Sequence, residues 1–102
     1  MSYLQGYDDE MGMVLEHVRN ERHRQEELRR AGRFKETCAS ATMDEGVKLA
    51  VLLEEVGEVA RALLEKGDAA NDKHGVELRK ELVQVAAVCV AWVEAIDAKA
   101  TP

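Results

Sequence analysis

The apolar positions of this chain recur at helical spacing in three separate segments. The clearest pattern follows residue 45, where apolar side chains succeed one another at steps of three and four residues and cover one broad arc of a helix. This arc comprises Leu49, Leu52, Leu53, Val56, Val59, Ala60, Leu63 and Leu64. The pattern predicts a strongly amphipathic helix that starts at the capping box Thr42-x-x-Glu45 and stops at Gly67.

A first helix is predicted from about Asp8 to Arg30. Its first half carries apolar residues at three- and four-residue steps, whereas its second half is almost entirely charged, which is typical of a half-exposed helix. Gly32 is expected to end this helix, and residues 31–41 are expected to form a loop.

A third helix is predicted over residues 72–98, after a short turn at residues 67–71. Between Leu82 and Val93 every residue except Gln84 is apolar, so this helix has to be covered on all sides. Two neighbouring helices of one small chain do not easily achieve this. We therefore expect an all-α fold with three main helices per chain, which forms a four-helix-bundle-like core by homodimerisation.

Composition and charge mainly exclude classes of partner. A chain of 102 residues is one small domain, and its net charge of −6 argues against duplex nucleic acid or an anionic membrane surface as a partner. The longest apolar run is about half of a bilayer span. Cys38 and Cys89 are not spaced as metal ligands, and reduced thiols without a secretion signal predict a cytoplasmic protein.

Acidic residues are placed so that two helices can share a cluster of carboxylates. Glu54, Glu55 and Glu58 lie three or four residues apart, on one face of the second helix. On the third helix, Glu81 and Gln84 are again three residues apart. A short turn makes the two helices antiparallel, and Glu58 and Glu81 lie about equally far from it. We therefore expect the two groups at the same height.

Such a cluster is a candidate site for a divalent cation. Clustered carboxylates raise one another's pKa, and oxygen ligands without histidine or cysteine suit Mg²⁺, with Mn²⁺ as an alternative. An unpaired Gln84 inside an apolar turn would cost about 1–3 kcal/mol, which contact with the glutamates would avoid. The alternative is a solvated helix face, on which Arg61 forms ordinary ion pairs with Glu58 and Glu65.

Two stretches of the chain resemble the two-helix signature of the MazG-like, all-α NTP pyrophosphohydrolases, LEEVGEVA at residues 53–60 and ELRKELVQV at residues 77–85. The resemblance implies a single MazG-like domain over residues 1–102 and a Mg²⁺ cofactor. It also implies hydrolysis of NTPs or dNTPs between the α- and β-phosphates, giving a nucleoside monophosphate and pyrophosphate. House-cleaning of non-standard nucleotides is one expected role.

Positions carried over from this signature assign roles to individual residues. Glu55, Glu58, Glu81 and Gln84 would bind the metal ion. Glu54 and Glu58 are the expected catalytic residues, with Glu54 positioning or activating the attacking water. Gln84 stands where the family has Asp, which keeps an oxygen ligand but removes a negative charge. The alternative function is therefore a catalytically weak, nucleotide-binding or nucleotide-sensing helical dimer, and a plain dimerisation protein is a third.

Substrate phosphates require cations or hydrogen-bond donors, and in this family the first helix and the following loop close over the nucleotide. Arg22, Gln25 and Lys48 are the expected substrate-binding residues, although a solvated helix with interleaved glutamates is the simpler interpretation of the first helix. Trp92 could stack on a base, but packing in the core or a dimer interface is favoured. The expected partners are a nucleoside triphosphate and further copies of the chain, as a dimer or a dimer of dimers, with no nucleic acid and no membrane.

Overall fold

The structure, a computed structural model, consists of three helices and describes residues 3–65 and 72–100. Helix α1 spans Tyr3–Arg30, α2 spans Glu45–Leu64 and α3 spans Asp72–Ala100. No strand occurs in these residues, which confirms the predicted all-α fold. None of the described helices is long and apolar enough to cross a membrane. The predicted stop at Gly67 and the predicted turn at residues 67–71 lie outside the described residues.

The C-terminus of α1 lies where the sequence predicts it and is closed by the backbone that follows. Gly32 has φ 80°, a left-handed conformation that glycine adopts without strain. In this geometry the Gly32 N–H donates to the Arg29 carbonyl and the Arg33 N–H donates to the Leu28 carbonyl. These bonds satisfy carbonyl groups at the helix end and turn the chain out of the helix.

The N-terminus of α2 is capped by Asp44 and not by Thr42, so the predicted capping box is wrong. The Asp44 side chain accepts a hydrogen bond from the Gly46 N–H at 3.2 Å. Thr42 instead donates its hydroxyl to Glu36 at 2.7 Å within the loop. Both residue types are good caps, and the loop contact that occupies Thr42 decides between them.

Helix α3 is central, and both other helices pack on it. Its most buried side chains are small and recur at four-residue steps, with Ala87, Ala91 and Ala95 at most 1% exposed. Small side chains let neighbouring elements approach closely. The backbones of α1 and α2, by contrast, do not contact each other within the described residues. The packing is therefore that of a helical bundle in which the outer two helices stand apart.

Much of the apolar surface of α2 and α3 is not covered within the chain. The exposed large apolar side chains of these helices include Leu49, Leu53, Val56, Leu63, Leu82, Val90, Val93 and Ile96. The apolar arc that the sequence predicts for α2 thus faces largely outward. Helix α3, which the sequence predicts to be covered on all sides, is covered by its own chain only where α1, α2 and the loop pack on it.

Candidate active site

A cavity of about 380 Å³ opens between α1 and α2, because both helices pack on α3 without touching each other. We call it the central cavity. Its apolar lining comes from α2, α3 and the loop between α1 and α2, and consists of Phe34, Cys38, Met43, Val51 and Val88. Its polar lining includes four residues that the sequence assigns to the site, Gln25, Glu54, Glu55 and Gln84. A volume of this size is sufficient for a small-molecule ligand.

Gln84 connects the two acidic helices. With its amide nitrogen toward the carboxylates, Nε2 donates to Glu81 Oε2 at 3.0 Å and to Glu55 Oε2 at 3.2 Å. This orientation satisfies all three groups, because the reverse orientation would direct the amide oxygen at two carboxylates. The reverse orientation becomes favourable when a cation lies among the three side chains. The structure therefore brings together Glu55, Glu81 and Gln84 across the interface between α2 and α3.

Glu55 is the electrostatic centre of this group. Burial raises the pKa of its carboxyl group, and the charges of Glu81, Glu58, Glu21 and Glu54 raise it further. Carboxylates from all three helices therefore act on one carboxyl group. A proton or a cation bound at this point relieves their repulsion and stabilises the folded chain.

We call the cluster of Glu55, Glu58, Glu81 and Gln84 the acidic group. Glu58 lies at its exposed edge. Its Oε2 is 3.5 Å from Arg61 Nη1, and Arg61 Nε also donates to Glu65 at 3.1 Å. The hydrogen bond to Glu65, and then the charges of Glu65, Glu58 and Glu81, raise the pKa of Arg61 above its ordinary value. Exposed ion pairs contribute little to stability, so Glu58 can exchange Arg61 for another cation at small cost.

Glu54 and Gln25 line the central cavity from opposite helices. Glu54 is exposed, so its carboxylate can contact water in the cavity. Gln25 is half-buried, and its Oε1 accepts a hydrogen bond from Arg22 Nη1 at 3.0 Å. That bond orients the amide of Gln25 within the cavity lining.

Arg22, which the sequence assigns to substrate binding, is a buried link between α1 and α3 and does not line the central cavity. Its guanidinium donates to both carboxylate oxygens of Glu94, at 2.7 and 3.1 Å, and to Glu26 at 3.1 Å. The hydrogen bond to Glu94, against the opposing effect of burial, raises the pKa of Arg22 above its ordinary value. A guanidinium engaged in this way holds two helices together.

Lys48, the third expected substrate-binding residue, is completely buried at the start of α2. Its Nζ lies 3.9 Å from Glu45 Oε1 and makes no hydrogen bond with the described residues. The same Glu45 accepts a hydrogen bond from Trp92 Nε1 and lies 3.9 Å from Lys99 Nζ. Neither Lys48 nor Trp92 lines the central cavity, so the structure places both in a separate charged cluster between α2 and α3.

Cys38 lines the central cavity but is not suited to act as a nucleophile. Burial raises the pKa of its thiol, and this outweighs the opposite effects of Lys48 and Arg22. Because the thiolate is the reactive form, a thiol with a raised pKa stays inert at neutral pH. Cys38 instead packs with Val88 and Ala91.

The cavity residues that were not predicted from the sequence include an ion pair of α1, Glu21 with Arg24. They form a bidentate ion pair, with Arg24 Nε and Nη2 donating to Glu21 at 2.8 and 2.7 Å. This ion pair is the main reason that the pKa of Arg24 is raised, and Glu55 across the cavity adds to it. Their three-residue spacing was the available signal, but it is equally typical of a solvated helix face.

The side chains of the acidic group suit a hard divalent cation by donor type. As they stand, no three acidic, histidine or cysteine side chains among the described residues are arranged to hold a metal ion. The Gln84 amide nitrogen lies between the carboxylates of Glu55 and Glu81, where a cation would be favoured. Rotation of that amide would present a third oxygen beside the two carboxylates. The residues therefore fit Mg²⁺, provided that Gln84 exchanges its two hydrogen bonds for coordination.

The central cavity combines an apolar lining, a solvent-accessible carboxylate and an acidic group that favours a cation. This combination suits a ligand with an apolar or aromatic part and an anionic part that is bound through the cation. No protein-family model, curated protein or solved structure matches this chain.

Proposed function

We propose that this chain is a Mg²⁺-dependent nucleotide pyrophosphohydrolase that binds an NTP or dNTP in the central cavity. The observation that carries the proposal is the contact of Gln84 with Glu55 and Glu81 beside that cavity. If the glutamates only formed a solvated acidic face, there would be no need for a glutamine, Gln84, in the otherwise apolar stretch of α3. A cation site with oxygen ligands from two helices does need such a side chain on α3.

The lining of the central cavity supports binding of a nucleoside next to the acidic group. Phe34 and Met43 offer an aromatic face and a polarisable thioether for contact with a base. Gln25 supplies an amide group in the same lining, which can hydrogen-bond a base or a sugar. The α-phosphate of a nucleotide bound in this way would lie toward Glu55 and Gln84.

The acidic group would hold Mg²⁺ through Glu55, Glu58, Glu81 and Gln84. When bound, the ion neutralises phosphate charge and favours ionisation of water. Glu54 would accept the proton that the attacking water releases, and its exposure in the cavity lining supports this role. Water adds across the bond between the α- and β-phosphates, and the products are a nucleoside monophosphate and pyrophosphate.

Pyrophosphate release tests this proposal directly. Purified protein is assayed with Mg²⁺ or Mn²⁺ across a panel of NTPs and dNTPs, alongside the variants Glu81→Gln and Glu58→Gln. We expect turnover by the wild type and a loss of more than about 100-fold in both variants, beyond the effect of an outer-shell change. Glu65→Gln is the matched control. Glu65 is an exposed carboxylate at the C-terminus of α2, and among the described residues it pairs only with Arg61.

The hydrolase proposal fails if the wild type releases no pyrophosphate from any nucleotide of the panel. It also fails if Glu81→Gln and Glu58→Gln, shown by circular dichroism to be folded, retain the activity of Glu65→Gln.

A second candidate, a nucleotide-binding or nucleotide-sensing protein without turnover, is favoured by the same glutamine. Gln84 already satisfies Glu55 and Glu81 without a metal ion, and it brings no negative charge to the site. This candidate expects nucleotide to raise the melting temperature of the wild type without pyrophosphate release, and Gln84→Asp to gain turnover. Turnover by the wild type would exclude it.

We also propose that the working unit is a homodimer, which can pair further into a dimer of dimers. Four of the exposed apolar side chains of α2, Leu49, Leu53, Val56 and Leu63, follow steps of four, three and seven residues. On α3, three of the exposed apolar side chains, Leu82, Val93 and Ile96, follow steps of eleven and three residues. This spacing is typical of helix faces that pack on other helices, and so much exposed apolar surface is uncommon in a monomer.

A further inference from the structure

A second concave surface lies between α1 and α3 and shares Gln84 with the central cavity. We call it the α1–α3 groove. It has a volume of about 570 Å³, and its lining includes His17 and Arg24 of α1 together with Arg79 and Lys80 of α3. Glu21, Arg24 and Gln84 line both this groove and the central cavity, so the two spaces meet at these three residues.

The α1–α3 groove concentrates positive charge in an acidic protein. Arg24, Arg79 and Lys80 line it together with a single carboxylate, Glu21, which is bound by Arg24. Within the described part of the chain, neither Arg79 nor Lys80 forms an ion pair with a carboxylate. In a chain of net charge −6, two cations without acidic partners at one surface favour an anionic ligand there.

Arg79 is held in place by a histidine from the opposite helix. Its Nη2 lies 2.7 Å from His17 Nδ1. Because arginine carries only donors, the guanidinium donates in this contact and His17 Nδ1 accepts. The bond spans the groove from α1 to α3 and restricts the guanidinium without occupying all of its donors. A restrained guanidinium with free donors suits a phosphate group.

We propose that the α1–α3 groove binds the β- and γ-phosphates of the nucleotide and then holds them as the leaving pyrophosphate. Arg79 and Lys80 contact the phosphates, and His17 is a positioning residue for Arg79. This rests on the proposed hydrolase function, since the nucleoside would lie in the central cavity, and Gln84, which contacts Glu55 and Glu81, lies where the two spaces meet. The bond between the α- and β-phosphates would then cross that meeting point, so each product leaves from its own space.

Binding of inorganic pyrophosphate tests the groove without turnover. The wild type, Arg79→Ala and Lys80→Ala are titrated by calorimetry with pyrophosphate and, separately, with nucleoside monophosphates, all with Mg²⁺ present. We expect each substitution to weaken pyrophosphate binding about ten-fold through loss of a charge-assisted hydrogen bond. Monophosphate binding should stay within about two-fold, because these sites are separate.

Arg19→Ala is the matched control, since it removes the same charge from α1 on the side that lines a different surface, with Val90 and Glu94. It should leave pyrophosphate binding unchanged. The proposal is overturned if the wild type does not bind pyrophosphate, or if Arg79→Ala and Lys80→Ala bind it as Arg19→Ala does. A wild type that binds pyrophosphate in this pattern but hydrolyses no nucleotide would instead contradict the proposed hydrolase function alone.

The positioning role of His17 has its own readout. His17→Ala should weaken pyrophosphate binding, whereas His17→Asn, whose side-chain oxygen can accept from Arg79 in place of Nδ1, should restore most of it. If His17→Ala and His17→Asn lose the same pyrophosphate affinity, His17 does not act by accepting the hydrogen bond from Arg79.

Discussion

At the scale of single residues, Glu26 and Glu55 are both half-buried glutamates with opposite electrostatic surroundings. Burial raises the pKa of Glu26, but hydrogen bonds from Arg29, Thr37 and Arg22 outweigh it and leave the pKa below the ordinary value. Burial also raises the pKa of Glu55, and there the neighbouring carboxylates add to the rise. One glutamate therefore stabilises the fold as an anion, and the other destabilises it.

The two glutamates should give opposite dependences of stability on pH. The pKa of glutamate in an unfolded chain is about 4.3. A carboxyl group whose pKa is lower in the folded chain stabilises the fold above about pH 4.3, and this stability is lost as the pH falls through the folded pKa. A carboxyl group whose pKa is raised in the folded chain destabilises the fold as the pH rises above about 4.3. In metal-free buffer at pH 7, Glu55→Gln should raise the melting temperature by roughly 2–5 °C, and Glu26→Gln should lower it by a similar amount. Both differences should shrink toward pH 4.

Scanning calorimetry from pH 4 to pH 7 measures these differences, and Mg²⁺ provides a further check. The ion should stabilise the wild type and not Glu55→Gln. A Glu55→Gln variant that melts below the wild type at pH 7 without metal would contradict the electrostatic description of the site.

The buried ammonium of Lys48 offers a test of one role assigned from the sequence. Replacing a buried ionic group by an apolar one of similar size is often neutral or stabilising, and Glu45 keeps Trp92 and Lys99 as partners. Lys48→Met should therefore raise the free energy of unfolding by about 1 kcal/mol, measured by urea denaturation. Lys99→Met, at an exposed position, should change it by less than about 0.5 kcal/mol. A stable Lys48→Met that no longer binds nucleotide would instead support the substrate role.

At the scale of elements, the position of α1 depends on a few polar contacts more than on apolar packing. Val18 is its one buried apolar side chain among the described residues, whereas Met11, Val14 and Leu15 are exposed. The buried Arg22 bonds Glu94 of α3 on one side and Glu26 on the other, and Glu26 in turn accepts from the Thr37 hydroxyl at 2.8 Å. This network ties α1, which forms one wall of the central cavity, to α3 and to the loop.

Arg22→Met should consequently loosen α1 and the central cavity together. The expected loss in the free energy of unfolding is about 1–3 kcal/mol, because Glu94 and Glu26 lose a shared donor. Arg29→Met, which removes only an exposed bond to Glu26, should cost less than about 1 kcal/mol. Hydrogen exchange should show faster exchange in α1 of Arg22→Met and not of Arg29→Met. Equal stability of the two variants would contradict the linking role of Arg22.

At the scale of the whole molecule, the single chain leaves the outer faces of α2 and α3 uncovered. Buried apolar residues are few, and most of them are small residues of α3. A domain of this size buries only a modest share of its surface and is often completed by association. The exposed apolar side chains of α2 and α3 therefore predict that a second copy covers them.

Charge placed on these faces should separate the copies. The wild type is expected to run as a dimer or a dimer of dimers in size-exclusion chromatography with light scattering, and the pair Leu53→Lys with Val93→Lys is expected to run as a monomer. In a dimer, each of these lysines would be buried in the interface and would lose its hydration without gaining an acidic partner, which disfavours association. Met13→Lys makes the same kind of change at an exposed position of α1 and should keep the wild-type mass. A wild type that is monomeric at micromolar concentration would contradict the dimer.

Local interactions explain what the sequence by itself determined. The three helices follow from apolar spacing, and the end of α1 follows from Gly32, because helix formation and termination depend on neighbours within a few residues. The spacing of Glu81 and Gln84 on one helix and of Glu55 on the other indicated that these side chains could meet, since helix geometry fixes which residues share a face. The cap of α2 was missed because Thr42 and Asp44 are both suitable and a loop contact selects between them.

Only the tertiary structure decided which arc of each helix is covered and which polar side chains share a space. The sequence pattern gives α2 an apolar arc, but in the structure Leu53 on that arc is exposed, whereas Lys48 is buried and part-buried Glu55 meets Gln84 of α3. Likewise, Arg79 meets His17 across 62 positions of the chain. A helical pattern specifies the angles between side chains around one axis, but not the distance and rotation of the next helix. Those depend on how the helices pack on α3, and this packing is what creates the central cavity and the α1–α3 groove.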